Sequence, residues 1–112
     1  MEVTETHRGD IVLLTPGTEV DVRTLPAFDA RVDALLVSGA RGIVFDLTSL
    51  ALLPSTVAGF LVSCAARVKK AGGRFAVAAS PRVRRTLATL GIEAVLTIRD
   101  SVEAAERFAR GP

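Results

Sequence analysis

The sequence has no tryptophan or tyrosine, and only one cysteine, one histidine and one methionine in 112 residues. Each shortage removes a class of function. Five phenylalanines are the whole aromatic complement, and most fall at apolar-periodic positions, so few aromatic rings are available as stacking platforms for single-stranded nucleic acid. Nucleic acid is not expected as a partner. Cys64 has no second cysteine to pair with, which fits a cytoplasmic protein. A lone His7 and a lone cysteine make no metal-ligand cluster, and neither G-x-G-x-x-G nor G-x-x-x-x-G-K-[ST] occurs. No metal, no cofactor and no enzymatic activity are expected.

Long hydrophobic runs are also missing. The stretches Ala51–Leu53 and Val57–Val62 are far shorter than the roughly 20 residues that span a bilayer, so no membrane insertion is expected. The opening MEVTETHRGD is polar and acidic where a secretory signal is basic and then apolar, which again points to the cytoplasm. No charge of one sign dominates: 14 basic residues face 12 acidic ones. The basic residues are nearly all arginine, however, and a good share lies between Arg67 and Arg85, an asymmetry that suits an acidic partner. With 49% hydrophobic residues, residues 1–112 suffice for one domain around one core.

What is present is a regular alternation of strand and helix signals. Val3 to Thr6 and Ile11 to Leu14 are β-prone and flank the polar link His7-Arg8-Gly9-Asp10, which reads as a hairpin. Leu25, Phe28, Val32, Leu35 and Leu36 recur at helical spacing, with Thr24 as the expected cap and Pro26 in the first turn. Gly42 to Leu47 is a short, continuously apolar run that suits a central strand covered on both faces. From Ser55, the residues Val57, Phe60, Leu61, Cys64, Ala65 and Val68 mark one face of a second helix, closed by Gly72-Gly73.

Phe75 to Ala79 reads as another buried strand. Ser80-Pro81 opens a third helix with Val83, Leu87 and Leu90 inward, and Gly91 ends it. A short strand is expected near Val95 to Thr97, then a last helix carrying Val102, Ala105, Phe108 and Ala109, with Asp100 as its cap. The order β-β-α-β-α-β-α-β-α predicts an α/β fold: a mixed, mainly parallel sheet with an antiparallel N-terminal hairpin edge and about four flanking helices.

Few residues carry chemistry. His7 reads as a solvated turn residue, and Cys64 as a small buried hydrophobe on the inward stripe of its helix. Asp46 either satisfies backbone donors of the next loop or helps to place a partner. Arg82, Arg84 and Arg85 form a solvated helix face or a candidate docking patch, expected beside Lys69, Lys70 and Arg74. The most informative segment is Asp46 to Gly59, where a buried strand gives way to a mostly apolar loop and Ser55-Thr56 opens an amphipathic helix. Either hydroxyl reads as an N-cap, although Ala58 and Gly59 stand where a capping box would put Glu or Gln. A phosphoryl group on Thr56 would lie at the positive end of the helix dipole.

The strand Ile43-Val44-Phe45-Asp46-Leu47, its spacing to Pro54-Ser55-Thr56 and the return through Ala71-Gly72-Gly73-Arg74-Phe75 resemble bacterial anti-sigma factor antagonists and related STAS domains. Glu19-Val20-Asp21, Gly91-Ile92-Glu93 and Asp100-Ser101 extend the resemblance over nearly the whole chain. It implies an antagonist that binds an anti-sigma factor that is also a serine-protein kinase, in a partner switch that regulates transcription. Phosphorylation would fall on Thr56, with Ser55 as second choice, and a phosphatase would reset it. The implied partner-binding residues are Asp21, Asp46, Pro54, Ser55, Thr56, Val57 and Gly59. Pro54 stands where the family usually has Asp, Val57 where it usually has Gly, and Thr18 where a Gly usually precedes the Glu-x-Asp stretch. These departures leave open an alternative: a STAS scaffold or docking subunit that is not phosphorylated, of the stressosome-like or lipid-transporter-associated kind.

Overall fold

The structure, a computed structural model, describes residues 3–111. Two short runs joined by two residues can only turn back on each other, and strands β1 (Thr4–Arg8) and β2 (Ile11–Thr15) pair antiparallel with Arg8 opposite Ile11. The turn is Gly9-Asp10. Gly9 has φ of +65° while no described non-glycine residue has a positive φ, the pattern of a primed turn with glycine first, whose twist matches the strands. His7 therefore lies in β1 and not in the turn, because the Gly-Asp pair alone closes the hairpin; its ring contacts Glu5 at 2.8 Å.

After a one-turn 3-10 helix at Val22–Thr24, the chain alternates: α1 (Leu25–Val37), β3 (Gly42–Leu47), α2 (Ser55–Lys70), β4 (Arg74–Ala79), α3 (Pro81–Thr89), β5 (Ile98–Arg99) and α4 (Val102–Arg110). The sheet order follows the chain, β1-β2-β3-β4-β5, and every pairing after the hairpin is parallel. The expected mixed α/β fold is the observed one.

Strand alternation sorts the side chains onto two faces. Ile43, Phe45 and Leu47 of β3 point into the larger core, with Phe28 and Val32 of α1, Leu61 and Val68 of α2, and Val83 and Leu87 of α3. Four of the five phenylalanine rings meet there: Phe45 lies 5.9 Å from Phe28, 6.2 Å from Phe60 and 5.4 Å from Phe75, centroid to centroid. Aromatic pairs at such distances add about 0.5–1.5 kcal/mol beyond their buried area. Val44, Ala76 and Ala78 face the other way, under Ala105 and Ala109 of α4. Alanines dominate where α4 crosses β3 and β4, because the backbones come close there, while Ile11 and Leu13 of β2 complete this layer. A Cβ on Gly42 would sit 2.6 Å from the Ala109 carbonyl oxygen.

The C-terminal part departs from expectation in three places. Leu90 is exposed, because α3 ends at Thr89 and Gly91 turns the chain with φ of +76°. Ile92 takes the inward position instead, its N–H donating to the Leu87 carbonyl. The last strand is Ile98–Arg99 and not Val95 to Thr97, since a turn closed by the Val95 N–H and the Ile92 carbonyl delays arrival at the β4 edge. Finally, Ser101 and not Asp100 caps α4, accepting from the Ala104 N–H at 3.2 Å. Asp100, one residue upstream, pairs with Arg84.

Candidate functional site at the carboxyl edge of the sheet

Parallel strands end on one edge, so the segments that follow β2, β3 and β4 all leave the sheet on the same side. Two of these segments touch directly: the Ala51 N–H, in the loop after β3, donates to the Thr18 carbonyl, in the loop after β2. Beneath this contact Val20 and Leu25 pack against the same core as Val57 and Phe60. Asp21, Asp46 and the start of α2 thus belong to one edge of the molecule.

The loop from Thr48 to Pro54 is held by its leucines. Leu50 and Leu53 are buried, at 4% and 5% exposure, whereas Leu52 between them stands 73% exposed. Asp46 shapes the entry, its Oδ1 accepting from both the N–H and the hydroxyl of Thr48, at 3.0 and 2.6 Å. That is an Asx-type turn, the local structural role open to this residue.

Ser55 and Thr56 are not N-caps. Pro54 occupies the cap position, with φ −65° and ψ 147°, and its carbonyl accepts from the N–H groups of Val57 and Ala58. The ring fixes φ at the value a helix entrance needs, but it offers no side-chain acceptor. Ser55 and Thr56 are consequently the first two helical residues. Both are exposed, and neither their hydroxyls nor their N–H groups find a partner among the described residues. No acidic residue lies in this first turn, while Arg67, Lys69 and Lys70 crowd the last one. The positive end of the dipole is left uncompensated where the hydroxyls project. Val57 turns inward and is buried, and exposed Gly59 has open space where a Cβ would lie.

Asp21 is bound up with its own neighbour. It accepts from the Arg23 backbone N–H at 2.9 Å and from the guanidinium at 2.7 Å, which holds its carboxyl down at about 2. Thr24 does not cap α1 with its side chain; its hydroxyl donates to the Asp21 carbonyl, because the 3-10 turn precedes the helix directly.

Arg82, Arg84 and Arg85 follow the end of β4, whereas Lys69, Lys70 and Arg74 lie at its start. A six-residue strand, roughly 20 Å, separates the two groups, so the single patch expected from sequence is divided. The three arginines share the carboxyl edge with Thr56; Arg84 is paired with Asp100, while Arg82 and Arg85 have no carboxylate partner among the described residues. Cys64 is fully buried, and burial pushes its thiol up to about 11. One feature of the edge escaped the sequence reading, the exposed Leu52. Its signal was an apolar run in a loop, where polar residues are the rule.

A five-stranded mixed sheet with three helices packed on one face, one on the other, and a hydroxyl-bearing helix start at the carboxyl edge defines a single-sheet α/β domain of the STAS type. The STAS domain family model matches residues 2–105, and the chain belongs to that family. No curated protein matches the sequence. Among solved structures, a putative anti-sigma factor antagonist from Thermotoga maritima is 23% identical, with 96% of this chain and 94% of that one covered and a TM-score of 0.84. SpoIIAA in its unphosphorylated form is 19% identical, with 99% and 98% covered and a TM-score of 0.79. Bacillus SpoIIAA in its phosphorylated form is 17% identical, with 96% and 99% covered and a TM-score of 0.72. At these identities the likeness is one of fold.

Proposed function

We propose that this protein is an anti-sigma factor antagonist that binds an anti-sigma factor with serine kinase activity, and that phosphorylation of Thr56 switches the binding off. The observation that carries the reading is the exposed Thr56 hydroxyl in the first turn of α2, which has no partner among the described residues. Structural neighbours described as anti-sigma factor antagonists support it, as does SpoIIAA, which exists in both phosphorylated and unphosphorylated forms.

The contact face comprises Leu52, Pro54, Ser55, Thr56 and Gly59, with Asp21 and Asp46 shaping the loops behind it and Arg82, Arg84 and Arg85 flanking it. Val57 acts from below by anchoring the helix start. In the switch, the Thr56 oxygen attacks the γ-phosphorus of ATP in the kinase site, ADP leaves, and the hydroxyl proton passes to a base of the kinase. The product adds up to about two negative charges beside an apolar face that had been desolvated against the partner. Repulsion and desolvation then favour release. A phosphatase restores the hydroxyl by hydrolysis.

Incubation with the cognate anti-sigma factor kinase and ATP, followed by peptide mass analysis, tests the reading. Phosphate on Thr56, lost in Thr56→Ala, is the expected result; tight binding with no phosphate on Thr56 or Ser55 refutes the switch. Pro54 at the cap position carries a second reading, a constitutive STAS scaffold, because it removes a side chain and an N–H that a kinase would grip. Under that reading Thr56→Glu leaves partner affinity unchanged. The switch predicts a loss of about 2 kcal/mol or more, roughly thirtyfold.

A further inference from the structure

At the opposite end of the molecule the sheet is incomplete. β5 has two residues and pairs only with Val77 and Ala78 of β4, so the first half of β4 is an open edge. Strand alternation decides which groups face it. The Arg74 N–H donates inward to the Arg41 carbonyl and the Val77 N–H outward to the Thr97 carbonyl. By the same alternation the N–H and C=O of Phe75 point outward, and no backbone or side-chain bond to them forms among the described residues. A buried residue with an unpaired donor and acceptor is uncommon.

Phe75 lines a groove of about 680 Å³ on this side of the strand. Val62 and Ala65 of α2 form one wall, Val95 and Leu96 another, and Phe108 the far side. The charged side chains that line it, Lys69 and Arg74, are both basic. Neither pairs with a carboxylate side chain among the described residues. Arg74 lies over the Phe108 ring, 4.8 Å from its centroid, and Arg99 approaches the same ring at 5.4 Å.

We infer that this groove binds an extended acidic peptide segment of a partner protein, which adds as a short strand beside Phe75 ahead of β5. A donor and an acceptor on one strand residue match peptide backbone, the mode in which main-chain bonds give affinity and alternate side chains fill pockets. The apolar walls accept the inward side chains of such a segment. Arg74 and Arg99, beside Phe108 on the α4 side, select carboxylates on the others, and Lys69 adds positive charge from the α2 side. The site lies at the amino end of β4, away from the Thr56 edge, and stands independently of any phosphorylation.

The test uses the full chain and two blocked pentapeptides, one alternating valine with glutamate and one alternating valine with lysine, followed by amide NMR. In the free protein the Phe75 amide exchanges with deuterium faster than those of Ala76 and Val77. The glutamate peptide shifts the signals of Phe75, Val95 and Phe108 and slows Phe75 exchange by about tenfold or more on saturation. The lysine peptide does neither. Lys69→Glu and Val95→Glu, both at exposed positions, each weaken the glutamate peptide several-fold and leave the fold intact. Decanoate serves as a third probe: if it shifts these signals at lower concentration than the peptide and leaves Phe75 exchange unchanged, the site is for a small amphiphile and the proposal fails. Equal binding of both peptides, or a Phe75 amide already as protected as its neighbours, also overturns it.

Discussion

Placing a fixed negative charge at position 56 separates the effect of the proposed phosphorylation on the fold from its effect on a partner. Thr56 is the second residue of α2, the first turn holds no acid, and the residue in the cap position is a proline without a side-chain acceptor. A carboxylate there meets the uncompensated positive end of a 16-residue helix. Such a charge is worth about 0.3–1 kcal/mol at low ionic strength. Thr56→Gln is the proper reference, because Gln and Glu have nearly equal helix propensity and differ in charge. Thr56→Glu is therefore expected to exceed Thr56→Gln in stability by about 0.5 kcal/mol, near 2 °C in melting temperature for a domain of this size.

The sign with pH follows from the same interaction. The helix end lowers the carboxyl pKa in the folded state, so the added stability is whole above the unfolded value, near 4.3, and is lost as pH falls through it. Salt acts likewise, and in about 1 M sodium chloride, where the screening length is near 3 Å, the difference should shrink toward zero. Urea denaturation of the two variants at low and high salt measures it. A Glu variant less stable than Gln, or a difference indifferent to salt and pH, would refute the reasoning. If it holds, any binding lost by Thr56→Glu cannot be attributed to unfolding.

Gly42→Ala should cost about 1–3 kcal/mol, because the new methyl lies 2.6 Å from the Ala109 carbonyl oxygen and α4 must shift; urea midpoints check it. Gly59→Ala should do the opposite and stabilise α2 by about 0.5–1 kcal/mol, since nothing occupies its Cβ position. Calorimetry of the same variant against the proposed anti-sigma factor partner then tests whether the bare backbone at 59 is needed for contact. Cys64 should resist a thiol reagent at pH 8 until the chain unfolds, since burial raises its thiol to about 11; reaction at the rate of a free thiol would contradict the packing. The Arg31 guanidinium on Glu5, with His7 beside it, lowers that carboxyl to about 2 from 4.5. Its stabilisation is whole above pH 4.5 and lost as pH falls toward 2, so the acid side of the stability curve should flatten in Glu5→Gln.

Much of this molecule was legible without coordinates. Alternating strand and helix signals determined the order of elements, and the apolar run Gly42 to Leu47 marked the middle of the sheet, because burial on both faces leaves no room for polar alternation. The stripe from Val57 to Val68 marked the inward face of α2 because helical period is a local property. Local signals also singled out the segment from Asp46 to Gly59, where one periodicity gives way to the other. Tertiary structure decided what depends on distant partners. Whether Arg82 meets Lys69 turns on which end of β4 each occupies, and the cap of α4 turns on the helix beginning at Val102, which puts Ser101 and not Asp100 in the cap position. The exposure of Leu52 follows from the burial of its two neighbours, and the open edge at Phe75 from where a turn lets β5 begin. Periodicity records which side of an element faces inward; it carries no record of what lies across a loop or beyond a strand end, since those contacts are set only when separate segments pack.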